Sequence, residues 1–260
     1  MARKDFKNEK IECSLREGVK DGEHIFENHC HPQYELIAVF GGSVTVVIEG
    51  GRLEIGRGEI AVIPPFYYHS IYTDGRGNYK RLTALFSDSF IPREISADFK
   101  KRAPLRFTSA NSALVSVLDG LRYAFSETDT EKYGALIESY LIEALYIHTY
   151  KAREREEAKT HPRVKKITEY IDAHIGEKIS LDDIAASLFI SKSTLCHVFS
   201  SEMKISVKQY VLQKKLSAAA KLIAGGTSAS LAAESVGYEN YANFYKMYKK
   251  IFGESPSGRG

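Results

Sequence analysis

The stretch SLDDIAASLFISKSTLCHVFSSE, residues 180–202, decides how the second half of this chain folds. Ser180 can cap a helix that begins at Leu181, with Asp182 and Asp183 in the first turn, where the helix dipole favours negative charge. Ile184, Ala185 and Leu188 then form the inward face. Phe189 and Ile190 carry a short turn, Ser191 caps a second helix, and Leu195, Val198 and Phe199 bury that helix against the first at helical spacing. Lys192, Ser193, Cys196 and His197 are left facing outward, as candidates for contact with a DNA groove.

A variation follows at SLAAESVGYENYANFYKMYKKIFG, residues 230–253. Leu231 and Ala232 are expected where Ile184 and Ala185 stood, Phe244 and Tyr248 repeat Leu195 and Phe199, and Gly237 gives the turn its backbone freedom. Asn240, Tyr241, Tyr245 and Lys246 face outward on the second helix of this copy, with Lys249 and Lys250 behind them. Between the copies, apolar residues from Val207 to Ile223 predict a long helix ended by Gly225 and Gly226. Such a helix would hold two recognition helices at a fixed distance, so that one chain reads two successive major-groove segments.

These residues resemble a known family. The run LDDIAASLFISKSTLCHVF, then KLSAAAKLI, then LAAESVGYENYANFYKMYKKIFGESP, closing on Phe252, Gly253, Ser255 and Pro256, is similar to the DNA-binding domain of AraC/XylS-type transcriptional regulators. Three positions depart from the family pattern: Lys204 stands where a glycine is usual, Lys215 where an arginine is usual, and Ala242 where a serine or threonine is common. The resemblance implies a sequence-specific regulator of transcription, an activator rather than a repressor, whose partners are double-stranded DNA, a small-molecule effector, a second copy of the chain and RNA polymerase. His197, Tyr241 and Lys246 match the family's base-reading positions. The charge distribution agrees: residues 161–260 hold 14 Lys and Arg against 9 Asp and Glu, and residues 1–160 hold 22 against 24.

Between Glu23 and Phe86 the period shortens to that of strands, with ELIAVF, VTVVIE, RLEI, EIAVI, YHSIY and RLTALF separated by glycine-rich turns. Short, regularly spaced strands predict an antiparallel barrel or jelly roll. Their order resembles a cupin barrel, the sensor that many AraC-type regulators carry. His29-x-His31-x-x-x-Glu35, then Gly58, Pro64 and His69, follow the spacing of the two cupin motifs, except that Phe66 and Thr73 replace the glycine and asparagine of the second. In metal-binding cupins the matching residues are ligands, so the resemblance makes His29, His31, Glu35 and His69 a candidate site for one divalent ion, of the zinc, iron, manganese or nickel kind. In other AraC-type sensors similar histidines hydrogen-bond an effector or one another with no metal, and no cofactor is then required. Tyr34, Phe40, Phe66, Tyr67, Tyr68 and Tyr72 are expected near the barrel mouth and walls, Tyr34 and Tyr67 as ligand contacts suited to a small polar molecule such as a sugar.

Two helical stripes follow, Leu114, Val117, Leu118, Leu121 and Phe125, then Leu136, Ile137, Tyr140, Leu141, Ala144, Leu145 and His148. They predict an antiparallel pair that, in the regulators this chain resembles, packs on the barrel and forms the dimer contact, with packing on the barrel alone as the alternative; apolar stripes longer than one barrel face needs favour the dimer. KAREREEAKTHP, residues 151–162, reads as a polar linker. The expected class is therefore mixed: an all-β cupin-like barrel over 1–105, a helical pair and linker over 106–160, and an all-α domain with two helix-turn-helix motifs over 161–260. The scattered Cys13, Cys30 and Cys196, the polar start MARKDFKNEK and the lack of any long apolar run point to a cytoplasmic protein with no membrane span. A different class, a metal-dependent cupin enzyme with a DNA-binding tail, would need an open metal position and a turned-over substrate. A third, an architectural DNA binder, would need a barrel interior filled by side chains.

Overall fold

A computed structural model of the chain describes residues 2–18, 24–48, 51–73, 79–99, 106–126, 132–152 and 161–257. Residues 153–160, most of the expected linker, lie outside them. The first half runs through β1 (Ala2–Lys7), β2 (Ile11–Glu17), β3 (His24–His29), β4 (Tyr34–Gly41), β5 (Ser43–Ile48), β6 (Gly51–Gly56), β7 (Ile60–Ile63), β8 (His69–Tyr72), β9 (Lys80–Phe86), α1 (Arg93–Phe99) and β10 (Arg106–Thr108). The strands form two antiparallel sheets, in the orders β1-β2-β9-β4-β7-β10 and β3-β8-β5-β6. β4 lies inside the first sheet and is buried on both faces, so it reads as an unbroken apolar run with one carboxylate, Glu35, in it. Its residues divide by alternation. Ile37 and Val39 face inward with Val44, Val46, Ile48, Leu53, Ile55, Ile63 and Ile71, while Tyr34, Leu36 and Ala38 face outward with Leu82, Ala84 and Phe86.

That outward face is covered by α2 (Ser112–Ser126) and α3 (Gly134–Lys151). Leu114, Val117, Leu118, Leu121, Phe125, Ile137, Leu141, Ala144 and Leu145 are all buried there within the single chain. This corrects the reason given above for a dimer, because the two stripes are not an exposed patch. Burying each of the Val, Leu, Ile and Phe side chains among them contributes roughly 1.5–3 kcal/mol, which turning them toward a partner would forfeit. His148 is a core residue, bonded to Thr108 Oγ1 at 2.9 Å. β1 and β2 also escaped the sequence reading. β1 is an edge strand whose buried contribution to the core is Phe6, which among charges carries no period-2 signal, whereas β2 does alternate, with Ile11, Cys13 and Leu15 buried.

The second half contains α4 (Pro162–Ala173), α5 (Leu181–Ser187), α6 (Lys192–Met203), α7 (Val207–Ala224), α8 (Ala229–Ser235) and α9 (Tyr241–Phe252). Pro162 sits in the first turn of α4, where a missing N–H costs nothing. Ser180 and Ser191 accept the N–H groups of Asp183 and Thr194, each worth about 1 kcal/mol to its helix. Ile184, Ala185, Leu195 and Phe199 share one core, and Ala232, Ala233, Phe244 and Tyr248 share another with Leu216, Ala219 and Ala220 of α7. The register of α8 differs by one residue from the expected one. Ser228 caps it, so Ala232 and Ala233 turn inward, in place of the expected Leu231 and Ala232, and Leu231 is 54% exposed.

The two helix-turn-helix units meet at Lys215 on α7. Its buried ammonium donates to the carbonyl of Glu177, after α4, at 2.6 Å and to that of Val236, after α8, at 2.7 Å. Burial lowers its pKa. One side chain thus satisfies the open carbonyls of two turns, a task for which its single Nζ serves as well as the arginine usual there. Lys204, at the C-cap of α6, has φ 57°, the left-handed region where a side chain is strained and glycine is not. Lys204→Gly is therefore expected to stabilise the protein by roughly 0.5–1 kcal/mol. A rise in the urea midpoint at constant slope checks it, and no rise would mean that the bond from Lys204 Nζ to the Ser201 carbonyl compensates the strain.

Candidate functional site

The outward faces of α6 and α9 carry the expected groove contacts. On α6, Lys192, Ser193 and His197 are exposed and Cys196 is half-buried, behind the buried Leu195 and Phe199. Lys192 pairs with Asp182 of α5 at 2.8 Å, both ends in solvent, so the pair holds the lysine only weakly. On α9, Tyr241 and Lys246 are exposed and Tyr245 is half-buried with its ring 6.5 Å from that of Tyr241. Asn240 is exposed and is also the N-cap, its side-chain oxygen accepting the Asn243 N–H, so that oxygen serves the helix first. α7 spans its 18 residues between the two units, about 27 Å at 1.5 Å per residue. Phe189, expected only as a turn residue, stands 96% exposed in the α5–α6 turn at φ 53°. A large exposed ring in a strained turn was visible only as an apolar residue between two caps.

The second site lies at one end of the barrel. β3 ends on His29 and β8 begins on His69, and the two are register partners with rings 4.3 Å apart. His31 follows in the turn before β4, and Glu35 projects from the inward face of β4. One ligand atom from each of these four residues lies within 4.8 Å of all the others. Glu35 Oε2 is 2.8 Å from His69 Nε2 and 3.2 Å from His31 Nε2. Burial alone would raise the Glu35 pKa, but the hydrogen bonds and charges of His31 and His69 outweigh it and hold the carboxyl well below its ordinary range.

The other nitrogen of each ring decides what the cluster can hold. His31 Nδ1 is 2.9 Å from the Gln33 carbonyl and His69 Nδ1 is 2.9 Å from the Tyr67 carbonyl. A carbonyl only accepts, so both Nδ1 atoms carry hydrogen, and a neutral ring then turns a bare Nε2 lone pair on the Glu35 carboxylate. Lone pair against carboxylate is repulsive. It becomes favourable when positive charge stands between them, as protons on both rings or as one divalent cation. Imidazoles fixed through Nδ1–H to backbone carbonyls, with Nε2 converging on a carboxylate, form the donor set of a metal site and its outer hydrogen bonds. The residues therefore fit a divalent ion of the kind the cupin resemblance implies.

The two tyrosines expected as ligand contacts are placed differently. Tyr34 is on the opposite face of β4 from Glu35, stacked on Phe86 at 5.6 Å and packed against Phe99, because neighbouring strand residues point to opposite sides. It does line a cleft of about 480 Å³ between the barrel and the helical half, with Pro32, Phe66, Asp88, Ile223 and Tyr248. Tyr67 packs against the inward core from a half-buried position, and its ring centroid is also 3.4 Å from Lys221 Nζ on α7. A residue missed by the sequence reading is Arg81 on β9. It is fully buried on the inward face beside Val39, and burial lowers its pKa to about 10. RLTALF read simply as a strand, and nothing local marks the arginine as an inward one.

Comparison with known proteins matches residues 17–145 to a family described as "AraC-like ligand binding domain" and residues 184–258 to one described as "Helix-turn-helix domain". The "Uncharacterized HTH-type transcriptional regulator YdiP" of Escherichia coli is 26% identical over 92% of this chain and 80% of its own length. The "Msm operon regulatory protein" of Streptococcus mutans is 28% identical over 86% of this chain and 82% of its own length. The "Arabinose operon regulatory protein" of Escherichia coli is 28% identical over 48% of this chain and 44% of its own length.

Proposed function

The chain belongs to the AraC family of transcriptional regulators, with a ligand-binding domain ahead of a helix-turn-helix domain, and on that footing we propose that it reads two successive major-groove segments and is controlled by an effector held at His29, His31, Glu35 and His69. Lys192, Ser193, Cys196 and His197 read one segment, and Asn240, Tyr241, Tyr245 and Lys246 read the other. The exposure of Lys192, Ser193, His197, Asn240, Tyr241 and Lys246, with Cys196 and Tyr245 half-buried beside them, opposite two buried stripes is the observation that carries the reading. A divalent ion held by the four cluster residues would supply a fixed positive charge to anchor an oxygen-rich effector, and the name of the arabinose relative supports a sugar. Activation of transcription with RNA polymerase as partner, a cytoplasmic location and the absence of catalysis complete the reading. No helix among the described residues is long and apolar enough to cross a membrane. Pairing of two chains, if built on α2 and α3, would use their outer residues Val115, Tyr123 and Tyr150, which are exposed.

The test is selection of binding sites from a random DNA library by the full chain. A defined consensus is expected, and His197→Ala should weaken binding to it by about 1–3 kcal/mol while changing binding to random DNA much less. Equal losses on both, or no consensus, would mean that α6 does not read sequence.

A further inference from the structure

One dipeptide, Phe66–Tyr67, between β7 and β8, touches both the histidine cluster and the helical half. On the cluster side, the Phe66 N–H donates to the His31 carbonyl at 2.9 Å, and the Tyr67 carbonyl accepts His69 Nδ1–H at 2.9 Å. On the other side, the Phe66 carbonyl accepts the hydroxyl of Ser217, a buried residue of α7. The Phe66 ring meets that of Phe252 on α9 edge-on at 6.1 Å, and the Tyr67 ring lies under Lys221 of α7. Ser217 and Lys221 are four residues apart and so share one face of that helix. The backbone of Phe66 has φ 63°, a left-handed conformation that a phenylalanine holds only where its surroundings fix it. It occupies the position at which the cupin pattern has a glycine. α7 is also the helix whose Lys215 ties the two reading units together.

We propose that Phe66–Tyr67 is the relay through which occupancy of the cluster sets the position of α7, and with it the fit of both reading helices to DNA. It rests on the reading of the cluster as the effector site. Drawing His31 and His69 toward a common cation moves the two carbonyl and amide partners of the dipeptide, and neither can move without disturbing Ser217, Lys221 or Phe252. An apolar loop resting on the helices would transmit less, because it could slide; hydrogen bonds at both ends fix its register.

The experiment uses the full chain, zinc ion alone as the probe, and a DNA site from random selection. Zinc affinity is measured by competition with a chromophoric chelator, and DNA affinity with and without zinc, for the parent, Ser217→Ala and Phe66→Asn. Asparagine tolerates the left-handed backbone, so it removes the ring and keeps the turn. The parent is expected to bind one zinc and to change DNA affinity by 5-fold or more. Both variants should keep zinc affinity within about threefold of the parent and respond less than about twofold on DNA, below that same range. Full response in both variants would overturn the relay while leaving the cluster reading in place, and so would a parent that binds zinc with no effect on DNA. A parent that binds no zinc would remove the cluster reading, and the relay with it.

Discussion

Replacing Gly237 by alanine is expected to destabilise the DNA-binding half by about 3 kcal/mol or more, a large part of the 5–15 kcal/mol that typically holds a domain folded. Two effects add. The residue has φ 72°, where any L side chain is strained by about 1–2 kcal/mol. A Cβ there would lie 2.6 Å from the Gly176 carbonyl oxygen and 2.8 Å from Lys215 Nζ. The carbonyl is backbone and cannot swing aside, and shifting the lysine would loosen its bonds to Glu177 and Val236. Gly226→Ala separates the two effects, since Gly226 has φ 94° with nothing within 4 Å of its would-be Cβ. It should cost only the strain. Urea unfolding of both variants checks the claim, and equal losses would mean that the junction of the two units tolerates a methyl group.

The second large effect is expected at the barrel. His31→Ala with His69→Ala should lower affinity for zinc at least about a hundredfold, in line with losing ligands rather than outer-shell partners. In the parent, zinc at a hundred times its dissociation constant should add about 2.7 kcal/mol of stability, and in the double variant almost none. Because removing both rings leaves the buried Glu35 without these partners, Glu35→Gln is the companion variant. Its amide can donate a hydrogen to a bare Nε2, so the cation-free protein should lose little or no stability, while the site loses its only negative charge and with it at least about tenfold in zinc affinity. A zinc-induced shift in melting temperature that survives in both variants would place the ion elsewhere.

Much of the fold could be read from residues whose physics is local. Ser180 and Ser191 are caps because a side-chain oxygen just ahead of an apolar helical stripe satisfies the open N–H groups, and the structure uses both. His29, His31, Glu35 and His69 come from three strands and a turn, and the resemblance to the cupin motifs, not a local rule, is what groups them, because β3 meets β8 with four other strands between them in the chain. Where the local pattern left the helix frame open, tertiary packing decided. Leu231 and Ala232 are the expected inward pair of α8; with Ser228 as its cap, Ala232 and Ala233 pack against α7 instead. The stripes on α2 and α3 looked exposed only because β1, β2 and the outward face of β4 were not counted as their partners. Arg81 and the left-handed Phe66 and Lys204 are invisible to periodicity, since burial of a charge and the sign of φ follow from what the whole fold places around them.

The proposed reading of two groove segments by one chain, at a spacing set by α7, is measured most directly by hydroxyl-radical footprinting of the full chain on its selected DNA site. Two protected windows on one face of the duplex, centred about one helical turn or 10 base pairs apart, are expected, with Tyr241→Ala weakening one window and His197→Ala the other. A single window, or two windows on opposite faces, would contradict it.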